Sequence, residues 1–307
     1  MRSNLALAAV AAVALSGCLD RMLLDGTIKS TRDAAKAFDT LTDLEVAKLG
    51  AGSSLVSLEG MQSLAPDNED ALFLLANGWT GYAAAFIEDA WERAYDRGDE
   101  DQENREADRA FQAYQRAFRF GTLLLEQRRP GFGLAQKNID TLKAYLKGYA
   151  DKADAEPLLW VGLAALSRGG VAAERPEVVA ELFVGVALLE RSVELDPGLA
   201  SASGLTALGA YHARAPDAEL PQARALFERA LQLTSRRALT VQVTYAQNYA
   251  CQAHDEPLYR ALLKEVQEAG DVLPEQRLEN TLAHRKADRY LAGPRLQRCG
   301  FKLPRSP

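Results

Sequence analysis

The stretch ARALFERALQL, residues 223–233, sets Ala223 and Ala230 seven residues apart with Phe227 between them. Seven residues make about two helical turns, so the two alanines share one face with the phenylalanine. Small side chains on such a face let a neighbouring backbone come close, and the larger one fills that neighbour's groove. The same offsets recur at Ala110, Tyr114 and Ala117 in AFQAYQRA, and at Gly185, Leu189 and Ser192 in GVALLERSVELDP, which Pro197 closes. A further register, Ser54, Leu58 and Met61 before Pro66, keeps them too. Recurrence of one packing face along a chain is the mark of stacked helix pairs.

The partner helices are legible upstream of these faces. Leu72, Leu75, Ala76 and Trp79 in LFLLANGW, Trp160, Leu163 and Ala164 in WVGLAALS, and Leu205, Leu208 and Gly209 in LTALGAYH repeat a large residue followed by leucine and a small residue. A looser unit, VTYAQNYA, offers Tyr245, Ala246 and Tyr249. The remaining sequence is rich in Ala, Leu, Glu and Arg with 3.6-residue periodicity, and no strand alternation interrupts it. These features predict an all-α, tetratricopeptide-repeat-like helical solenoid over residues 46–291, with the aromatic residues serving as core. Between Ala76 and Ala110 the spacing exceeds the usual step, and the extra chain carries Asp96, Asp99, Glu100, Asp101, Glu103, Glu106 and Asp108. It lacks the fixed glycine-bearing spacing of a calcium loop and reads as a solvated helix-turn-helix tip.

Residues 1–17 read as a lipoprotein signal peptide: Arg2, then an eleven-residue apolar run from Leu5 to Leu15, too short to span a bilayer. Leu15-Ser16-Gly17-Cys18 resembles the bacterial lipobox, which implies diacylglycerol on Cys18 and a further acyl chain such as palmitate on the new N-terminus. Each buried methylene adds roughly 0.8 kcal/mol of membrane affinity, so more than one chain makes a stable anchor. Residues 18–45 then form the anchor and an N-terminal helical segment. Leu19 follows the cysteine, and outer-membrane attachment facing the periplasm is the expectation. Residues 292–307, GPRLQRCGFKLPRSP after Ala292, form a basic C-terminal tail.

Removing residues 1–17 takes away one charge and leaves 35 basic against 42 acidic side chains. Such a surface repels phosphate backbones and excludes nucleic acid as the expected partner. Three dispersed histidines, His212, His254 and His284, and the absence of HExxH, GxxxxGK[ST], GxSxG and CxxC leave no catalytic or metal apparatus. The sequence therefore predicts no enzyme, cofactor or metal. Cys251 and Cys299 either form a disulfide, which the periplasm permits, or Cys251 is a small buried hydrophobe.

In order, the lipobox, APDNEDALFLLANGWTGYAAAFIEDAWERA, RRPGF, ERPEVVAELFVGVALLERSVELDP, LPQARALFERALQL and TYAQNYACQAHDEPLYRALLKEV resemble the T-component family of TRAP transporters. The similarity runs from about Asp33 to Leu291. It implies a non-catalytic accessory protein that docks the periplasmic solute-binding (P) component and assists ligand transfer, as a homo-oligomer with a trimer as first expectation. A repeat lipoprotein scaffolding envelope or pilus assembly is the alternative. In a solenoid the first helix of each pair lines the concave face. Counting along those helices nominates Phe73, Asn77, Val161, Thr206, Val243 and Gln247 for the partner or ligand groove, with Arg168 and Arg214 a turn further on. A C-terminal helix from Pro274 to Leu291 folding back into the groove is the competing occupant.

Overall fold

The computed structural model describes residues 20–172, 174–214 and 219–303, and Cys18 lies outside them. Among the described residues the regular structure is all helical, with no strand. Helix α1 covers 20–34, followed by α2 (Leu44–Leu64), α3 (Glu69–Tyr82), α4 (Glu88–Arg97) and the 29-residue α5 (Glu100–Arg128). Then come α6 (Ile139–Leu146), α7 (Ala155–Gly170), α8 (Leu182–Leu195), α9 (Leu199–Arg214), α10 (Leu220–Leu233), α11 (Leu239–Tyr245), α12 (Glu256–Glu268), α13 (Arg277–Tyr290) and α14 (Gly293–Arg298).

Polar caps set several of the starts. Asp43 accepts the Glu45 and Val46 amides at the head of α2, Asn68 the Ala71 amide of α3, Asp99 the Gln102 amide of α5 and Asn138 the Asp140 amide of α6. Gly98, in the left-handed region at φ +69°, closes α4. The acidic run is therefore divided among tasks: Asp99 caps a helix, whereas Asp96 is drawn inward and is not part of a solvated tip.

The helices stack as antiparallel neighbours, α3 on α5, α5 on α7, α7 on α8, α8 on α9, and α9 on α10. The small positions lie at these contacts. Ala110, Ala117, Ala223 and Ala230 are fully buried, and Ser192 donates its hydroxyl to the Ala155 carbonyl at 2.8 Å. A Cβ on Gly185 would sit 2.7 Å from the Leu166 amide nitrogen, and one on Gly209 would sit 3.0 Å from the Phe227 ring. Phe227 stacks on Tyr245 with centroids 4.7 Å apart. One register differs: Leu58 is buried, but Ser54 is exposed, because no helix of the described chain covers that side of α2.

The stack returns on itself. Ala47 of α2 and Phe86 before α4 share a core cluster with Leu278 of α13, so elements some 200 residues apart meet. Beside that cluster Arg289 reaches Asp89 at 2.6 Å and also binds Glu92, while Lys286 lies 3.4 Å from Glu92. Arg295 of α14 holds Asp96 at 2.5 Å, and Arg298 contacts Asp96 and the Tyr95 carbonyl. What the sequence presents as a basic tail is thus a short docked helix, with Leu296 and Phe301 buried beneath it. Cys251 and Cys299 are joined in a disulfide that ties the end of this helix to the segment after α11.

Candidate functional site

Between α3 and α4 the backbone widens into a π-helical turn, Ala83–Ile87, and the same happens after α11 at Ala246–Ala250. A π-turn inserts a residue into an α-helix and re-aims the side chains beyond it, a device common at functional sites. Asn77 and Gly81, four residues apart, share a face of α3 before this turn, and Glu88 follows directly after it. A Cβ on Gly81 would meet nothing within 4 Å, so the face looks onto open space there.

Glu88, just past the turn, gathers polar groups from other helices. Its Oε1 accepts the Tyr114 hydroxyl of α5 at 2.6 Å, and Ser167 of α7 lies beside the same hydroxyl. Arg214 of α9 and Lys286 of α13 supply positive potential at Glu88. Burial pushes the Glu88 carboxyl above the ordinary range, against the pull of Lys286, the Tyr114 hydroxyl and Arg214. For Arg214 burial lowers the guanidinium's affinity for its proton, while Glu88 raises it. Arg214 is an exposed residue, so it stands at the rim of this group and reaches Glu88 by charge. Five helices, α4, α5, α7, α9 and α13, thus bring a carboxylate, a phenol, a hydroxyl and two cations together.

Glu92, one turn beyond Glu88, belongs to the closure. Burial raises its pKa, but Lys286, Arg289, Arg295 and the Tyr290 hydroxyl outweigh that and hold it down at about 2. On the opposite flank Glu279 of α13 is pushed up to about 7, by burial first and by the neighbouring Asp39 second.

The nominated groove residues divide. Arg214 is exposed at the rim beside Glu88, and Asn77 is half-buried on α3, ahead of the π-turn that leads to Glu88. Thr206 and Gln247 are half-buried, the Thr206 hydroxyl donating back to the Ala202 carbonyl at 3.0 Å. Phe73, Val161 and Val243 are in the core, at 3%, 0% and 4% exposure, because neighbouring helices pack on the side that the counting left open, α5 against Val161 at Gly121 and α1 over Phe73 through Arg32. Arg168 is also turned away from the recess. It bonds Gln115 at 3.0 Å, pairs with Glu181 and lies over the Phe118 ring at 4.5 Å. The C-terminal helix does form, at Arg277–Tyr290, but it packs on α11 and α12 as the next layer of the stack and seals the seam with its basic side. Sequence reasoning misses Glu88 and Lys286 and assigns Tyr114 only to a packing face, since the small-large-small pattern records the helix contact and not the hydroxyl.

Among the described residues no group of His, Cys, Asp or Glu is disposed to hold a metal ion, and no helix is long and apolar enough to cross a membrane. The fold and this face define an all-α stack of helix pairs, closed by an ionic seam around a polar recess. The chain belongs to the TRAP transporter T-component family, whose model matches residues 40–295. That role is an accessory component of a transporter, and the family is not one of enzymes. A search of curated proteins finds no match.

Proposed function

We propose that the protein is a lipid-anchored T component that holds the solute-binding protein of its TRAP system against the closed helical stack and receives or passes its ligand through the Glu88–Arg214 recess. The observation that carries this reading is the convergence of Glu88, Tyr114, Ser167, Arg214 and Lys286 from five helices inside the family-matched region. A recess that presents both signs of charge and two hydroxyls suits a polar or zwitterionic group better than a purely apolar one. Cys18 is the proposed anchor, and attachment to the outer membrane on its periplasmic side is the proposed location. Tethering there raises the effective concentration of the T component for a soluble partner without any new contact.

Capture tests the docking. The chain from residue 18 onward, with Cys18→Ser, is expected to co-purify with the solute-binding protein encoded beside it. Asn77→Trp with Gln247→Trp is expected to weaken that capture while leaving the thermal melt nearly unchanged, since half-buried edge positions contribute little to the core. Recovery of an envelope-assembly factor instead of a solute-binding protein would replace this reading with the scaffold alternative. Fractionation of cells carrying full-length Cys18→Ser tests the anchor separately: the variant is expected in the soluble periplasmic fraction, and its retention on membranes would refute lipid attachment through Cys18.

A further inference from the structure

Asp20 is the first described residue, and Arg21 beside it fixes where α1 enters the fold. Arg21 pairs at 2.5 Å with Asp67, in the turn between α2 and α3. Asn68 of the same turn donates to Asp25 at 2.7 Å, and Gln127 at the end of α5 donates to the Asp67 carbonyl. Arg129 then donates to the Gly148 carbonyl at 3.2 Å, and Lys152 lies 3.2 Å from Asp196 beyond α8. One edge of the stack, made by the ends of α2, α5, α6 and α8 and the starts of α3 and α7, is thus tied to the start of α1. Cys18 stands three residues before Arg21, which is at most about 11 Å of chain.

That edge is basic in an acidic molecule. From Gln127 to Lys152 the sequence holds Arg128, Arg129, Lys137, Lys143, Lys147 and Lys152 against Asp140 and Asp151. Arg128 pairs with Glu69 at 3.1 Å and Lys152 with Asp196. Among the described residues no carboxylate lies in salt-bridge range of Arg129, Lys137, Lys143 or Lys147, and all four are exposed. The flanking acids are occupied: Glu126 accepts the Gly131 and Gly133 amides, and Asp154 those of Ala150 and Asp151. The opposite edge, where α5 begins and α7 ends, has the reverse balance, with Asp99, Glu100, Asp101, Glu174 and Glu177 exposed. Gly148 sets Arg129 in place. A Cβ there would lie 2.0 Å from the guanidinium carbon, so the absence of a side chain lets Arg129 rest on this backbone. The two residues line a cleft of about 290 Å³ with Glu69, Gln127, Tyr149 and Asp154. Leu134, Leu64 and Met22, at 75%, 73% and 72% exposure, and Leu23 lie on the segments that meet here. Cations for phosphates and aliphatic groups for the acyl boundary are what a surface that meets phospholipid needs.

We infer that this edge is a bilayer-contact face, in which Arg129 and the cleft on Gly148 take a phospholipid phosphate, Lys137, Lys143 and Lys147 face the anionic surface, and Met22, Leu23, Leu64 and Leu134 meet the acyl boundary. The inference rests on the anchor reading above for its direction: the lipid on Cys18 and the basic edge engage one membrane, and the acidic edge is turned away from it. The net charge of the chain does not oppose this contact. The 16 residues of α7 separate the two edges by about 24 Å, roughly three times the distance over which charges act at physiological salt. By itself the face binds weakly, since each exposed cation near an anionic surface strengthens binding only about five-fold. A chain without its lipid therefore still leaves membranes at physiological salt.

Vesicle co-sedimentation of the chain from residue 18 onward with Cys18→Ser, in about 20 mM salt to lengthen the reach of the charges, reads the face without the anchor. The expected result is binding to phosphatidylethanolamine–phosphatidylglycerol vesicles, little binding to phosphatidylcholine vesicles, and release at about 0.3 M salt. Arg129→Gln with Lys147→Gln is expected to weaken binding about 25-fold, two cations at about five-fold each. Arg97→Gln with Arg105→Gln, at the acidic edge, should leave it unchanged. All four positions are exposed, so the circular-dichroism melts should match the parent. Absence of binding to the phosphatidylglycerol vesicles, binding indifferent to Arg129→Gln with Lys147→Gln, or an equal loss from the Arg97 and Arg105 pair would overturn the inference. So would calorimetric binding of glycerol 3-phosphate that Arg129→Gln abolishes in a chain that ignores vesicles, which would assign the cleft to a soluble phosphate. Fractionation of full-length Cys18→Ser at physiological salt reports the anchor alone, so the two readings fail in different experiments.

Discussion

The contact between α9 and α10 and the seam between α4 and the C-terminal helices are both buried, but they are made of different materials. At the first, Gly209 and Ala223 bring two helices together, and Phe227 fills the space and stacks on Tyr245. At the second, Asp89, Glu92 and Asp96 face Arg289, Arg295 and Arg298, with side chains largely withdrawn from water. Not every seam atom finds a hydrogen bond. The Arg289 Nε and Asp96 Oδ2 atoms lack one and face each other at 3.3 Å, paired by charge alone. Apolar contacts between neighbouring helices are non-directional and tolerate small shifts. A buried ionic seam demands all of its members, because each charge left alone keeps its desolvation cost.

Arg289→Ala is the most direct way to break the contrast. It strips Asp89 and Glu92 of their shared partner and is expected to cost about 3–5 kcal/mol, the range for breaking a buried pair from one side. Chemical denaturation measures it, and a loss under 1 kcal/mol would show the seam to be solvated. Cys299→Ser tests the covalent part of the same closure. The disulfide spans 48 residues, which in the chain-entropy model contributes about 4 kcal/mol. Thiol titration of the denatured, unreduced chain with Cys18→Ser should find none free, and two free thiols would show that the bridge does not form.

On the apolar side, Ala223→Leu adds methylenes between α9 and α10 and is expected to cost about 1–3 kcal/mol, less than the seam variant. An unchanged melt would mean that these helices do not meet at Ala223. The smallest effect sharpens the comparison through pH. Glu279 keeps its proton in the folded chain up to about pH 7, whereas an unfolded glutamate releases it near the ordinary value of 4.5. Between those limits the folded chain binds more protons, so stability falls as pH rises from about 4.5 to about 7. Glu279→Gln should therefore stabilise by about 1–2 kcal/mol at pH 8, allowing for the partial solvent contact of this side chain, with the gain gone at pH 4. A gain independent of pH would mean that folding leaves the titration of Glu279 unshifted.

The sequence by itself determined the helices and their contact faces. Small-large-small offsets such as Ala223, Phe227 and Ala230 express a packing requirement within two turns of one helix, and local periodicity records it. It also carried the family, through ordered segments such as YAAAF and YAQNYACQ that the matched region contains. Only the tertiary structure decided that the stack closes, and which side of each first helix its neighbours cover. Phe73, Val161 and Val243 went into the core, and Arg214 was left exposed beside Glu88. The Asp89–Arg289 pair spans 200 residues, and no periodicity in a chain relates positions that far apart. Whether a charge is exposed or buried in a seam depends on the summed rotations of every helix pair between its two ends, which is a property of the whole stack and not of any segment in it.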